Sequence, residues 1–370
     1  MRAAWRPGDP PGDRRFVDVG PLTLELGGAL DAVTVAYETW GTPRRSGGAV
    51  TNAVLVLHAL TGDAHVVGPT GPGQPTPGWW DGLIGPGAAL DSDEWFVVAA
   101  NVLGGCQGTT GPSSLHPDGA AYGSRFGRVT IRDQVAVEAR LADALGIERF
   151  ACVLGGSMGG MRALEWAVSH PQRVGSALVL ATSAVASAEQ IATQSTQVLA
   201  VHADPGWCGG DYLAAGTSPA TGLGLARRIA HLTYRSEAEL QLRFAAQPQA
   251  GEDPLGAGRF AVQSYLDHHA SKLVRRFDAG SYVVLTDAMS THDVGRGRGG
   301  VEAALASSPV RTVVAGIDSD RLYPLQQQER IARHLPGCAG LDVVTSVHGH
   351  DGFLIEAPAV AALVRKALRG

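Results

Sequence analysis

Four continuous apolar runs between residues 53 and 181 limit the fold of this chain more than any other feature. Ala53-Val-Leu-Val-Leu-His58, Trp95-Phe-Val-Val-Ala-Ala100, Phe150-Ala-Cys-Val-Leu154 and Ala177-Leu-Val-Leu-Ala181 show no apolar/polar alternation. That is the pattern of strands buried on both faces. Helical segments separate them. Thr130-Ile-Arg-Asp133 has the capping-box pattern of a helix start, Val137, Leu141 and Leu145 supply a buried stripe, and Gly146 marks the end. A second helical pattern runs through Met161 to Ser169 and stops before Pro171. Strands alternating with helices predict a mostly parallel sheet covered on both faces.

The pattern extends in both directions. Leu22-Thr-Leu-Glu-Leu26 and Val33-Thr-Val-Ala-Tyr37 alternate and flank Gly27-Gly28, which predicts an antiparallel hairpin at one sheet edge. Residues 1–15 are rich in proline, glycine and charge and read as a loose arm. Over 183–300 no comparable strand occurs, whereas 189–202, 222–231, 237–244 and 260–277 read as helices. Such a stretch is close to a small domain in size. Gly295-Arg-Gly-Arg-Gly-Gly300 reads as its exit hinge, after which Val310-Arg-Thr-Val-Val-Ala-Gly-Ile317 and Leu341-Asp-Val-Val-Thr-Ser-Val347 resume the sheet. The expected division is a discontinuous catalytic core, 1–182 with 301–370, and a helical lid, 183–300. About eight strands with a reactive turn after the fifth and a late helical insertion describe an α/β-hydrolase.

That turn is Gly155-Gly156-Ser157-Met158-Gly159, a G-x-S-x-G pattern in which the serine occupies a sharp strand-to-helix bend. Glycines at 155 and 159 let strand and helix approach closely, and the helix start favours developing negative charge beside Ser157. An N-capping serine in an ordinary glycine-rich turn is the plain alternative. A serine hydroxyl needs a base, and the base needs an orienting acid. Both occur in the expected chain order, each just past a strand: Asp318-Ser-Asp320 and His348-Gly-His350-Asp351. From the residues alone either aspartate could be the acid and either histidine the base. Oxyanion donors are expected at the N–H of Met158 and at that of Leu60, in the loop after the third strand.

Composition narrows the partners. The 370 residues carry a net charge of -5 and no long basic run, which argues against nucleic acid. No stretch is apolar and long enough to span a bilayer, and Met1-Arg-Ala-Ala-Trp-Arg has no apolar core of a signal peptide. A cytoplasmic protein is the expectation. Cys106, Cys152, Cys208 and Cys338 lack paired spacing, so neither a disulfide framework nor a zinc site is expected. The glycine-rich loop at 104–111 has no G-K-[ST] and is not a nucleotide cradle. Lys272, Arg275 and Arg276, at helical spacing, could meet an anionic donor, but a solvated helix face is the plainer reading.

Taken together, His58-Ala-Leu-Thr-Gly-Asp-Ala-His65, Asn101-Val-Leu-Gly-Gly-Cys-Gln-Gly-Thr-Thr-Gly-Pro112, Gly155-Gly-Ser-Met-Gly-Gly160, Gly224-Leu-Ala-Arg227, Asp318-Ser-Asp-Arg-Leu-Tyr-Pro324 and His348-Gly-His-Asp-Gly-Phe-Leu354 resemble the homoserine O-acetyltransferase family. The likeness covers nearly the whole chain; Phe126-Gly127, where Phe-Pro is expected, is one departure. The resemblance implies Ser157 as nucleophile, Asp320 as acid and His350 as base. It implies Leu60 and Met158 as oxyanion donors and Arg227, Tyr234 and Asp351 as acceptor ligands. It further implies acetyl-CoA as co-substrate, L-homoserine as acceptor, no permanently bound cofactor, and a homodimer formed through the lid. The His348-x-His350-Asp351 cluster also invites a metal reading, but no other dense His/Asp group accompanies it and the nearby nucleophile argues against it, so no metal is expected. An amino acid is a zwitterion, so a fixed cation at Arg227 and a fixed anion at Asp351 suit it. A succinyl donor, another acceptor, or a serine esterase on the same scaffold are the competing readings.

Overall fold

The structure, a computed structural model, describes residues 4–369. Its main sheet has eight strands: β1 (Arg15–Asp18), β2 (Thr34–Trp40), β3 (Ala53–Leu57), β4 (Phe96–Ala100), β5 (Phe150–Gly156), β6 (Val174–Leu180), β7 (Arg311–Ile317) and β8 (Leu341–Val344). Their spatial order is β1-β2-β4-β3-β5-β6-β7-β8. Only β1–β2 and β2–β4 pair antiparallel; the remaining pairs are parallel. The mostly parallel, eight-stranded α/β sheet expected from the sequence is therefore present, with Ser157 directly after the fifth strand.

The uninterrupted apolar runs have a simple consequence. Successive residues of a strand face opposite sides, so each run feeds two cores at once. Leu55 and Leu57 of β3 enter one core, while Val54 and Val56 enter the other. Helices α1 (Ile131–Ala144) and α2 (Met158–Ser169) cover the first through Val135, Leu141, Leu164 and Trp166. Burying one such aliphatic side chain contributes about 1.5–3 kcal/mol. Thr130 accepts from the N–H of Asp133, whose carboxylate accepts from the N–H of Thr130, completing the expected capping box. Trp166 donates to Glu138 at 2.8 Å and Arg162 lies 2.5 Å from the same carboxylate. A buried ion pair thus joins α1 to α2.

Between β6 and β7 the chain forms α3 (Ala188–His202), α4 (Ala220–Tyr234), α5 (Glu237–Phe244), α6 (Ala261–Val274) and α7 (Ala279–Ser290). An isolated bridge between Val185 and Asp293 closes this excursion at its base. Helix α7 is buried nearly all round: Leu285 and Tyr282 pack toward Leu60 and Met158, and Ala288 joins the sheet core. The chain then adds α8 (Val301–Ala306), α9 (Leu325–His334), α10 (Gly352–Ile355) and α11 (Ala357–Leu368). Val360 and Val364 of α11 cover the second core.

Three local expectations are corrected. The edge hairpin uses different residues: β1 begins at Arg15 and pairs with β2, while Leu22–Thr23 pairs only with Ala29–Leu30. Phe16 has no helpful alternation around it in sequence, but its ring stacks on Trp5 at 4.6 Å. The N-terminal arm is accordingly seated from residue 4, where its description begins; the N–H of Trp5 donates to the carbonyl of Cys106, and Arg14 is buried. Finally, the segment at 295–300 is tethered and is no free hinge. Arg296 pairs with Glu25 at 2.8 Å and Arg298 with Glu165 at 2.6 Å. The glycines supplied the turn, whereas the interleaved arginines fix it.

Candidate active site

Ser157 stands at the junction of β5 and α2 with φ 58 and ψ -125, a conformation costly for a residue with a side chain. Its surroundings hold it there. Its N–H donates to the carbonyl of Leu180, and its carbonyl accepts from the hydroxyl of Thr182 at 2.9 Å. A Cβ on Gly155 would come within 2.5 Å of the Gly159 carbonyl carbon, and one on Gly159 would strike Leu57. Both glycines are required by close packing. Ser157 makes no side-chain capping bond, so the plain reading of an N-capping serine fails.

Its hydroxyl instead lies 2.9 Å from Nε2 of His350, whose Nδ1 lies 2.6 Å from Oδ2 of Asp320. All three residues are buried. The other oxygen of Asp320 accepts the N–H groups of Leu322 and Tyr323 at 2.8 and 2.9 Å, which fixes the carboxylate in one orientation. Burial works to lower the pKa of His350, but the charge and hydrogen bond of Asp320 outweigh it and raise it. The geometry separates the sequence alternatives. Asp318 accepts from the N–H of Ser346 at 3.0 Å and so braces the turn, and His348 faces Glu239 at 3.2 Å.

The two prospective oxyanion donors are also gathered here. Met158 begins α2 and Leu60 follows β3; both are buried in one cluster with Tyr323. Among the described residues neither N–H donates to a protein acceptor. Sequence reasoning missed what holds the Leu60 loop. Arg162 donates to the carbonyl of His58, and His58 donates from Nδ1 to Ala59 while Nε2 accepts the N–H of Val102. Burial and nearby Arg162 push the pKa of His58 down to about 3, so it is neutral as this bonding requires. An arginine in the apolar stretch of α2 was the available signal. Arg276 donates to the carbonyl of Thr61 at 2.7 Å. The solvated-face reading therefore holds for exposed Lys272 and Arg275 but not for Arg276.

On the insertion side, the Arg227 guanidinium lies 5.3 Å from the ring centre of Tyr234, and the Tyr234 ring lies 5.9 Å from that of His350. Arg227 forms no ion pair among the described residues, and its buried Nε has no hydrogen-bond partner. Asp351 is placed differently from a free anion: its Oδ2 is 3.1 Å from Nη2 of Arg235, which also bonds Glu239 at 3.0 Å. Burial raises the pKa of Asp351, with Arg235 opposing. The loop carrying His350 is pressed onto α4. A Cβ on Gly349 (φ 64) would come within 2.7 Å of the Tyr234 carbonyl, and Ser236 donates to the carbonyl of Val347.

No convergence of His348, His350 and Asp351 into a metal-sized group occurs among the described residues. Asp13, Glu38 and His65 do converge, but His65 bonds Glu38 at 3.0 Å and Gln74 bonds the same carboxylate at 2.8 Å. These bonds already engage Glu38 and Nδ1 of His65. The arrangement at Ser157 can perform acyl transfer: a hydroxyl aligned on a buried base, with an oriented acid behind it.

Comparison with known proteins agrees with this chemistry. Residues 52–357 match the alpha/beta hydrolase fold family. The homoserine O-acetyltransferase of Thermobifida fusca (strain YX) is 61% identical, over 99% of this chain and 96% of its own. Among solved structures, the homoserine O-acetyltransferase from Bacillus anthracis superposes with a TM-score of 0.86 at 25% identity, covering 96% of this chain and 97% of that one. Esterase E22 superposes equally well, with a TM-score of 0.86 at 26% identity, covering 96% of this chain and 99% of its own.

Proposed function

The chain belongs to the alpha/beta hydrolase fold family and, within it, to the homoserine O-acetyltransferases, and from that premise we propose a two-step transfer through Ser157. The fold alone does not separate transferase from hydrolase, since an esterase shares it as closely as an acetyltransferase does. Identity of about three residues in five over the full chain does separate them, and it selects acetyl over succinyl.

In the proposed first step the Ser157 hydroxyl attacks the thioester carbonyl of acetyl-CoA and its proton passes to Nε2 of His350. Asp320 steadies the resulting imidazolium through Nδ1–H. The N–H groups of Leu60 and Met158 receive the oxyanion, each such donor being worth about 100- to 1,000-fold in rate. Collapse breaks the C–S bond, and His350 returns the proton to the departing thiolate. In the second step the homoserine hydroxyl attacks the acetyl ester, loses its proton to His350, and the C–O bond to Ser157 breaks with reprotonation of Oγ. Arg227 takes the acceptor carboxylate, with Tyr234 beside it, and Asp351 shares its charge between Arg235 and the acceptor ammonium. The 2.9 Å contact between Ser157 and His350 is the observation that carries this reading.

Acetyl-CoA as donor is supported by a cavity of about 610 Å³ whose wall includes Arg275 and Arg276. Arg276 reaches Thr61, next to Leu60, so one cation suited to a phosphate group links this cavity to the loop of the proposed oxyanion donor. No permanent cofactor is needed for these steps. The test is mass spectrometry of the protein mixed with acetyl-CoA alone. One acetyl group should appear on the peptide containing Ser157 and vanish when L-homoserine is added; acetylation elsewhere would overturn the assignment.

The five-helix excursion is read as a lid and as a dimer contact. Leu199, Leu232 and Leu242 on α3, α4 and α5 are exposed, at 64%, 47% and 79%. Exposed apolar side chains favour association where they form a common patch, and these three lie on successive helices of the excursion. Sedimentation equilibrium should give twice the chain mass, and a monomer at micromolar concentration would exclude the dimer. A cytoplasmic enzyme fits these substrates, and no helix among the described residues is long and apolar enough to cross a membrane.

A further inference from the structure

Tyr323 has no role in the steps above, yet it is the most conspicuous polar misfit at the site. The side chain is fully buried, and its ring lies 5.1 Å from that of His350, tilted by 36°. It shares a cluster with Leu60 and Met158. Its hydroxyl is directed toward Ser157 but finds no hydrogen-bond partner. A buried hydroxyl left without a partner is destabilising, and native proteins seldom retain one without a reason. Burial, reinforced by the Asp320 charge, pushes its pKa far above the ordinary tyrosine value. It therefore stays protonated and offers a hydrogen to whatever oxygen is brought beside it.

We propose that Tyr323 is a catalytic residue of the second step, donating its hydroxyl hydrogen to Oγ of Ser157 as that oxygen leaves the acetyl group. The proposal rests on the acetyl-serine reading given above. The hydroxyl faces Ser157, whose oxygen must depart when the acceptor alcohol displaces it. The departing oxygen has two lone pairs: one receives the proton that His350 took from the acceptor, and the other accepts from Tyr323. Charge builds on Oγ as its C–O bond breaks, so the hydrogen bond strengthens in that transition state. The first step differs chemically: Oγ gives up charge as it attacks, and the departing atom is sulfur, a weak acceptor. Tyr323 thus acts on the departure of Ser157 and leaves acylation almost untouched.

The test is Tyr323→Phe, which keeps the ring against His350 and removes only the hydroxyl. Single-turnover kinetics would follow thiol release from acetyl-CoA and then O-acetylhomoserine formation, alongside thermal unfolding of the free protein. Acylation should change less than twofold, while transfer slows by about tenfold, the size of one neutral hydrogen bond made in the transition state. The melting midpoint should stay level or rise, because an unpaired buried hydroxyl has been deleted. Equal slowing of both steps, unchanged transfer, or a fall of several degrees in the midpoint would overturn the proposal. Wild-type protein that forms no acetyl-enzyme, or does not pass it to homoserine, would instead refute the two-step reading itself.

Discussion

Asp320→Asn is expected to lower turnover about ten-thousand-fold, the loss seen when the orienting carboxylate of a comparable triad becomes an amide. The cause can be traced atom by atom. Oδ1 of Asp320 is committed to the N–H groups of Leu322 and Tyr323. An asparagine there would keep its carbonyl oxygen on those donors and turn its NH2 toward Nδ1 of His350. That nitrogen would then have to accept, which moves the imidazole hydrogen to Nε2 and removes the base facing Ser157. Asp318→Asn should behave differently, since its amide oxygen can still accept from the N–H of Ser346. A loss below tenfold is expected for it. Steady-state rates with far-ultraviolet circular dichroism on both variants decide the matter. A larger loss at Asp318 in a folded protein would move the acid to that position.

Arg227→Ala should leave acylation close to normal and slow acetyl transfer by roughly thirty- to several-thousand-fold. The acetyl end of acetyl-CoA carries no carboxylate for Arg227 to hold, whereas the acceptor does. Losing one partner of a buried charge pair costs about 2–5 kcal/mol, which converts at about 1.4 kcal/mol per tenfold. The structure strengthens the motive, because Arg227 is a cation without an ion pair among the described residues and with a buried, unpaired Nε. Its guanidinium is held in place over Tyr234. Single-turnover kinetics, reading thiol release and then O-acetylhomoserine, provide the test, with excess homoserine restoring part of the rate. Equal loss in both steps would make Arg227 part of the framework and not an acceptor ligand. Asp351→Asn should have a smaller effect than Arg227→Ala, since Arg235 already neutralises much of that carboxylate.

Much of this was legible in the chain because local chemistry and global fold agree. The apolar runs of β3, β4, β5 and β6 are too uniform for strands with one wet face, and so they required a covered parallel sheet. Gly155 and Gly159 marked a bend that only small residues tolerate. By contrast, β1 was hidden because Phe16 is stabilised by Trp5, a partner eleven positions away in an arm with no periodicity. Asp318 and Asp320 could not be ranked from spacing, since both follow the same strand; only the positions of Ser346 and His350 divide their tasks. Arg235 escaped notice for a similar reason. It ends α4 beside Tyr234, yet its two carboxylates come from α5 and from the loop at Asp351. Pairings across separate elements leave no periodic trace.

The contact of Gly349 with α4 has a bearing on how the protein wears out. The loop bearing His350 rests main chain on main chain against Tyr234 and Arg235, with no room for even a methyl group between them. Whatever loosens the helices between β6 and β7 therefore tugs the imidazole away from Ser157, although β5 and β7 are untouched. Local opening takes less free energy than unfolding the whole chain. Opening at this seam alone would therefore silence a preparation while most of its sheet is still in order.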